Sequence, residues 1–141
     1  MKILFICTGN YYRSRFAEIY FNHLSPELKI KDKAYSKGLN PCCFTDPISD
    51  TAIRFLESIG VKPSHPYRKP AKLLEEDFKN NDLFIALDEK EHRPMVESQF
   101  PYWADQIEYW NVADRPELSS EIALPMIAKS VEDLLYKLSI R

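Results

Sequence analysis

Lys2-Ile3-Leu4-Phe5-Ile6-Cys7-Thr8-Gly9-Asn10-Tyr11-Tyr12-Arg13-Ser14 is the stretch whose reading decides the fold. Ile3 to Ile6 is an unbroken run of branched and aromatic side chains that stops short of Gly9. That is the pattern of a parallel strand buried on both faces. Beyond it, Ser14 to Leu24 carries apolar residues at helical spacing, with Phe16, Ile19, Tyr20 and His23 along one side. Cys7 therefore leaves the carboxyl end of a strand, and the loop after it runs into a helix N-terminus. Backbone N–H groups and the positive end of the helix dipole both favour an anion there.

These residue types suit a sulfur nucleophile held against a tetrahedral oxyanion. A free thiol is mostly protonated at neutral pH, and a helix N-terminus and a nearby cation favour its thiolate. The planar fork of Arg13 can clamp two phosphoryl oxygens, which a lysine could not do. Gly9 lets the loop turn its amides inward. Ser14 could cap the helix or donate its hydroxyl proton to the thiolate.

Composition narrows the partners. The chain has 141 residues, 45% hydrophobic and 28% charged, which fits one globular domain spanning 1–141. A net charge of −2 argues against bulk nucleic-acid or membrane-surface binding, so an anionic substrate must be drawn in by a local site. No stretch reads as a signal peptide or a spanning helix. Cys7, Cys42 and Cys43 are odd in number, and adjacent cysteines rarely bond, so unpaired thiols in a reducing, cytoplasmic setting are expected. His23, His65 and His92 lack ligand spacing, and no metal site is expected.

Along the chain, Leu24-Ser25-Pro26 closes the first helix and Lys33 to Gly38 reads as a second strand. Asp46-Pro47 reads as a helix start, with Asp46 near the N-cap and Ile48, Ala52, Phe55, Leu56 and Ile59 buried before Gly60. Pro63 to Pro70 is loop, with room for a short strand around Tyr67, and Leu73, Leu74 and Phe78 mark a brief helix. Leu83 to Asp88 is the second buried strand, and a helix from Lys90 to Ser98 follows, limited in its first turn by Pro94. Ile107 to Val112 reads as the last strand and Glu121 to Leu138 as the closing helix. The alternation predicts a small, doubly wound, three-layer α/β fold: a central parallel sheet of about four strands flanked by helices. Ligands in such folds sit outside the strands' carboxyl ends, where Cys7, Asp88 and Asp114 all fall.

With these residues in view, the chain resembles the low-molecular-weight protein tyrosine phosphatases along nearly its whole length. Cys7-Thr8-Gly9-Asn10-Tyr11-Tyr12-Arg13-Ser14 matches that family's Cys-x5-Arg-Ser after the first strand. Ser36-Lys37-Gly38, the strand ending at Asp88 followed by His92, and Trp110 to Pro116 resemble its later landmarks. The resemblance implies a cysteine-dependent hydrolysis of phosphotyrosine or other aryl phosphates through a phosphocysteine, with no metal or organic cofactor. Cys7 would be the nucleophile. Arg13 and the loop from Thr8 through Gly9, Asn10, Tyr11 and Tyr12 would bind the phosphoryl group. Asp114 is favoured as general acid and then base over Asp46, better explained as a helix cap, and over Asp88, a lesser rival that otherwise orders a loop at a strand end. Ser14 would steady the thiolate, and Asn10 and Ser36 would support the loop. The implied partners are a phosphorylated protein or a small aryl phosphate, with inorganic phosphate as product and inhibitor.

The chain departs from that pattern in places. Arg115 separates Asp114 from Pro116, and the usual aromatics after the acid are missing. Tyr12 stands where many relatives carry a second cysteine, which removes a protective disulfide within the loop. Arg15 replaces a proline and is expected to add positive charge near the mouth. Tyr11 and Tyr12 either wall the pocket and stack on an aryl group or pack against neighbouring loops. Two rival functions are a phosphate- or phosphotyrosine-binding module without turnover and a thiol-dependent arsenate reductase. The second needs a relay of further cysteines, and Ile85 to Met95 has none.

Overall fold

A computed structural model describes residues 1–64 and 67–141. Its centre is a four-stranded sheet in the order β2-β1-β3-β4, built from β1 (Lys2–Cys7), β2 (Lys33–Gly38), β3 (Leu83–Ala86) and β4 (Glu108–Tyr109). Every pairing is parallel. The expected α/β architecture holds, and its cause is visible in β1. Ile3 and Phe5 enter one core with Phe16, Phe21, Ile127 and Val131, while Leu4 and Ile6 enter a second with Phe78, Phe84 and Val96. Both faces are covered, so the strand has no polar side to show.

The helices are α1 (Arg13–Glu27), α2 (Asp50–Ser58), α3 (Glu75–Asn80), α4 (Glu89–Gln99) and α5 (Ser120–Ser139), with a short 3-10 helix at Pro101–Gln106. β1 leads through α1 to β2 on one side, whereas β3 leads through α4 to β4 on the other. The order therefore reverses between β1 and β3, and their carboxyl ends frame the crevice in which such folds bind ligands.

Several boundaries differ from the sequence reading. The second helix begins at Asp50 with Ser49 as its cap, its hydroxyl accepting from the Ala52 N–H at 3.3 Å. Asp46-Pro47 stays in the preceding loop because the Pro47 carbonyl is held by Arg15 at 2.9 Å. α1 runs on through Pro26 to Glu27 and buries Phe16, Ala17 and Phe21 more completely than the stripe ending at His23. Pro94 and Pro125 also stand inside helices. In each case the carbonyl four residues earlier, on Asn22, Lys90 or Glu121, belongs to an exposed residue and can turn to water. β4 covers only two residues, and Asn111 then makes an antiparallel bridge with Asp88 as the chain leaves the sheet. Tyr67 lies in no strand; the pairing partner of Gly38 is Lys72. His65 lies outside the described residues.

Cys42 and Cys43 are joined to each other in a disulfide, which corrects the expectation that they stand unpaired. Cys43 takes a φ of +64°, turning the backbone so that its side chain meets its neighbour's. Cys7 is buried and free.

Candidate active site

The loop between Cys7 and Arg13 is shaped by its own carbonyls. Those of Cys7 and Thr8 accept the N–H groups of Leu39 and Asn40 at 2.9 and 2.8 Å. The carbonyl of Tyr11 accepts from Ser49 at 2.9 Å, and that of Asn10 takes Arg15 Nη1 at 3.3 Å. In a trans peptide the C=O and N–H point opposite ways. Carbonyls tied to the outside therefore turn the amides of Thr8, Gly9, Tyr11 and Tyr12 toward the inside. This concave set of donors is an anion nest.

Asn10 holds the turn. It is fully buried at a φ of +51°, a conformation asparagine tolerates better than most residues. Its Nδ2 donates to Ser14 Oγ and to Ser36 Oγ, both at 2.9 Å. Its Oδ1 accepts from Arg68 Nη1 and from the Ala71 N–H at 3.0 Å each. Ser14 does not cap α1; Tyr12 is the N-cap residue and makes no side-chain capping bond. Instead Ser14 Oγ lies 2.9 Å from Cys7 Sγ. That oxygen also accepts from Asn10, and its proton is free to be donated to the sulfur when Cys7 is a thiolate.

Arg13, 2% exposed, returns its guanidinium across the crevice. Nη1 donates to the Val112 carbonyl at 2.9 Å, and Nη2 lies 2.8 Å from Glu91 Oε2 and 3.6 Å from Asp114 Oδ2. Burial would pull the guanidinium pKa down, but the bond to Glu91 and the nearby acidic groups outweigh it and hold it above its ordinary value. The same Glu91 oxygen accepts the Thr8 hydroxyl and lies 3.1 Å from His92 Nε2. Burial would raise the Glu91 carboxyl, yet His92, Arg13 and Thr8 together hold it far below the usual carboxylate range. His92 is itself fixed by the Asp88 N–H, which donates to Nδ1 at 3.0 Å. Asp88 thus acts here through its backbone at the start of α4.

Cys7, Thr8, Arg13 and Asp114 meet at a cavity of about 210 Å³. One wall is Tyr11, stacked face to face on Phe44 at 3.9 Å. Another is Tyr12, buried, with its hydroxyl on Ser120 Oγ at 2.9 Å and Arg115 over its ring. Both tyrosines therefore wall the pocket and pack on neighbouring loops at once. Arg15 does not reach the mouth. It is 3% exposed and its guanidinium ties the carbonyls of Asn10, Pro47 and Arg68 together; burial, then the charge of Arg68, lowers its pKa to about 10.

Two participants escaped the sequence reading. Arg68 bonds Asn10, both oxygens of Ser36 and Glu18, and it comes from a loop with no periodicity to flag it. Glu91 had a faint signal: with Met95, one helical turn on, it forms the face of α4 that meets Thr8.

Comparison with known proteins gives four points of reference. The model of the family described as low molecular weight phosphotyrosine protein phosphatase matches residues 2–138. The protein-arginine-phosphatase of Bacillus subtilis (strain 168) is 27% identical over 107 residues, 76% of this chain and 68% of that relative. The structure of a low molecular weight protein tyrosine phosphatase from T. tengcongensis is 32% identical, with 98% of this chain and 97% of that one covered at a TM-score of 0.75. YfkJ from Bacillus subtilis, 24% identical at a TM-score of 0.83 over 98% of this chain and 94% of that one, shares the fold.

Proposed function

The chain belongs to the low molecular weight phosphotyrosine protein phosphatase family, and from that premise we propose that it hydrolyses aryl phosphates, phosphotyrosine in proteins above all, through a phosphocysteine on Cys7. The observation that carries this reading is the convergence of Cys7, Arg13 and Asp114 on one small cavity. The Cys7 thiolate attacks phosphorus while the loop amides and Arg13 hold the equatorial oxygens, where fixed donors are most effective. Asp114 gives its proton to the departing phenolate. Its carboxylate then takes a proton from the water that attacks the phosphocysteine, which releases inorganic phosphate and restores the thiolate. The cycle requires neither metal nor organic cofactor.

Steady-state hydrolysis of aryl phosphates from about pH 4.5 to 8 tests it. Cys7→Ser should abolish turnover and still bind phosphate. Asp114→Asn should lose roughly 10²–10⁴-fold with phenyl phosphate and less with para-nitrophenyl phosphate, whose leaving group needs the proton less. An equal loss across leaving groups would remove Asp114 from the acid role, and turnover by Cys7→Ser would end the phosphocysteine reading.

The Bacillus subtilis relative supplies a second reading, removal of phosphate from arginine side chains. A departing guanidine also needs a proton, so Cys7, Arg13 and Asp114 would serve either substrate. The two differ in charge, since a phosphorylated guanidine is cationic and an aryl group is not, so charge at the rim of the pocket can tell them apart.

A further inference from the structure

Arg115 is fixed at that rim by three ties. Its backbone N–H donates to Asp114 Oδ1 at 2.8 Å, its guanidinium lies 4.2 Å over the Tyr12 ring, and Nη1 reaches Thr51 Oγ1 at 3.3 Å. The platform beneath it is firm, since Tyr12 is 5% exposed and anchored on Ser120. Arg115 itself is exposed and lines the cavity beside Asp114.

Its charge is unusual for this chain. Arg13, Arg54, Arg68, Arg93 and Arg141 each lie within ion-pair distance of a carboxylate. Arg15 is buried among carbonyls. Among the described residues Arg115 is the exposed arginine without a carboxylate partner, and Thr51 takes one of its five N–H donors. The scissile phosphate already has Arg13 and the inward amides. A second guanidinium, with no ion-pair contact of its own although Asp46, Asp50 and Asp114 share this rim, therefore acts on whatever flanks the phosphate.

We propose that Arg115 is a specificity determinant of this pocket: it favours phosphotyrosine flanked by acidic residues and disfavours phosphorylated guanidinium groups. This rests on the aryl phosphatase reading above and names its substrate class more closely. The stacked Tyr11 and Phe44 offer an apolar wall to a phenyl ring. The exposed donors of Arg115 can take a neighbouring carboxylate through the guanidinium fork. A phosphorylated guanidinium brings its own positive charge to the same place and is repelled. At a solvent-exposed rim each effect amounts to roughly a three- to tenfold change in kcat/KM.

The experiment compares phosphotyrosine peptides of one length, flanked by glutamate or by lysine, with a phosphoarginine peptide. It uses the wild type and the variants Arg115→Lys, Arg115→Met and Arg115→Glu, each rate expressed relative to para-nitrophenyl phosphate on the same variant. The wild type should prefer glutamate flanks by roughly three- to tenfold, with phosphoarginine slowest. Arg115→Lys should keep most of that preference, Arg115→Met should level it, and Arg115→Glu should reverse it. Salt at about 1 M should erase most of the wild-type preference. The same peptides titrated against Cys7→Ser give a ratio of binding constants that needs no turnover. If nothing is hydrolysed but that ratio follows the charge at position 115, the phosphatase reading fails and the role of Arg115 stands. Equal treatment of the two flanks by the wild type, a preference that survives in Arg115→Glu, or phosphoarginine as the fastest substrate overturns the proposal.

Discussion

Glu91 brings two donors to one oxygen, Arg13 at 2.8 Å and the Thr8 hydroxyl, with His92 Nε2 3.1 Å away. Its consequence for catalysis runs through Arg13, whose fork must be aimed before an anion arrives. Glu91→Gln keeps an acceptor and removes the charge, so Arg13 should be held less firmly and kcat/KM should fall roughly 10- to 100-fold. Because Glu91 is held far below the usual carboxylate range, it stays ionised throughout an assay from about pH 5 to 8. The ratio of wild type to variant should therefore be flat with pH. A ratio that shrinks toward the acid end would mean that Glu91 titrates there and that its partners hold it less strongly. Arg68 was not legible in the sequence and Glu91 only faintly, through its one-turn spacing from Met95, since each owes its role to a tertiary approach. Cys7, Arg13 and Ser14 were legible because their spacing within one loop fixes their relation.

At the level of elements, the last residue of β2 is where sheet and loop press together. A Cβ at Gly38 would lie 2.8 Å from the Thr8 carbonyl oxygen, 2.9 Å from Asn10 Cβ and 3.0 Å from the Asn10 nitrogen. These are mostly backbone atoms of the nest, and they cannot move without turning its amides. Gly38→Ala should destabilise the fold by about 1–3 kcal/mol in denaturant titration and weaken phosphate binding at the same time. Stability lost with phosphate affinity intact would mean that the loop yields elsewhere. β1 and β3 could be read as strands because burial on both faces leaves a continuous apolar run. The start of α2 could not be read so easily: Asp46-Pro47 carries the stronger local signal, yet Arg15 fixes the Pro47 carbonyl and Ser49 takes the cap. β4 was overextended by its apolar tail, because Trp110 and Val112 pair with the carbonyls of Ala86 and Leu87 while the chain is already turning toward Asp114.

Across the whole molecule, the end of the sheet opposite the pocket is closed by Asp32. Its fully buried carboxylate takes the Met1 ammonium at 2.6 Å and Arg141 Nη1 at 2.9 Å. The bonds from Arg141, which outweigh the effect of burial, and then those from the Met1 ammonium hold its pKa below the ordinary value. A depressed carboxylate contributes stability above its unfolded pKa of about 3.9 and loses it as pH falls through the folded value. The wild type should therefore lose stability steeply below about pH 4, and Asp32→Asn should start lower at neutral pH and fall less steeply. Parallel denaturant titrations would show it, and identical slopes would exclude Asp32 from the acid response. The pocket lies at the other end of β1, about 20 Å away at strand rise, so this loss begins far from the chemistry. The Asn10–Ser36–Arg68–Glu18 network has a different consequence, one of entropy. Its bonds arrange the nest when the chain folds, so the ordering of that loop is settled before any ligand is met. An arriving phosphate then gives up its own freedom but need not restrain the protein's, and a departing phosphate gains nothing from a loop that springs loose.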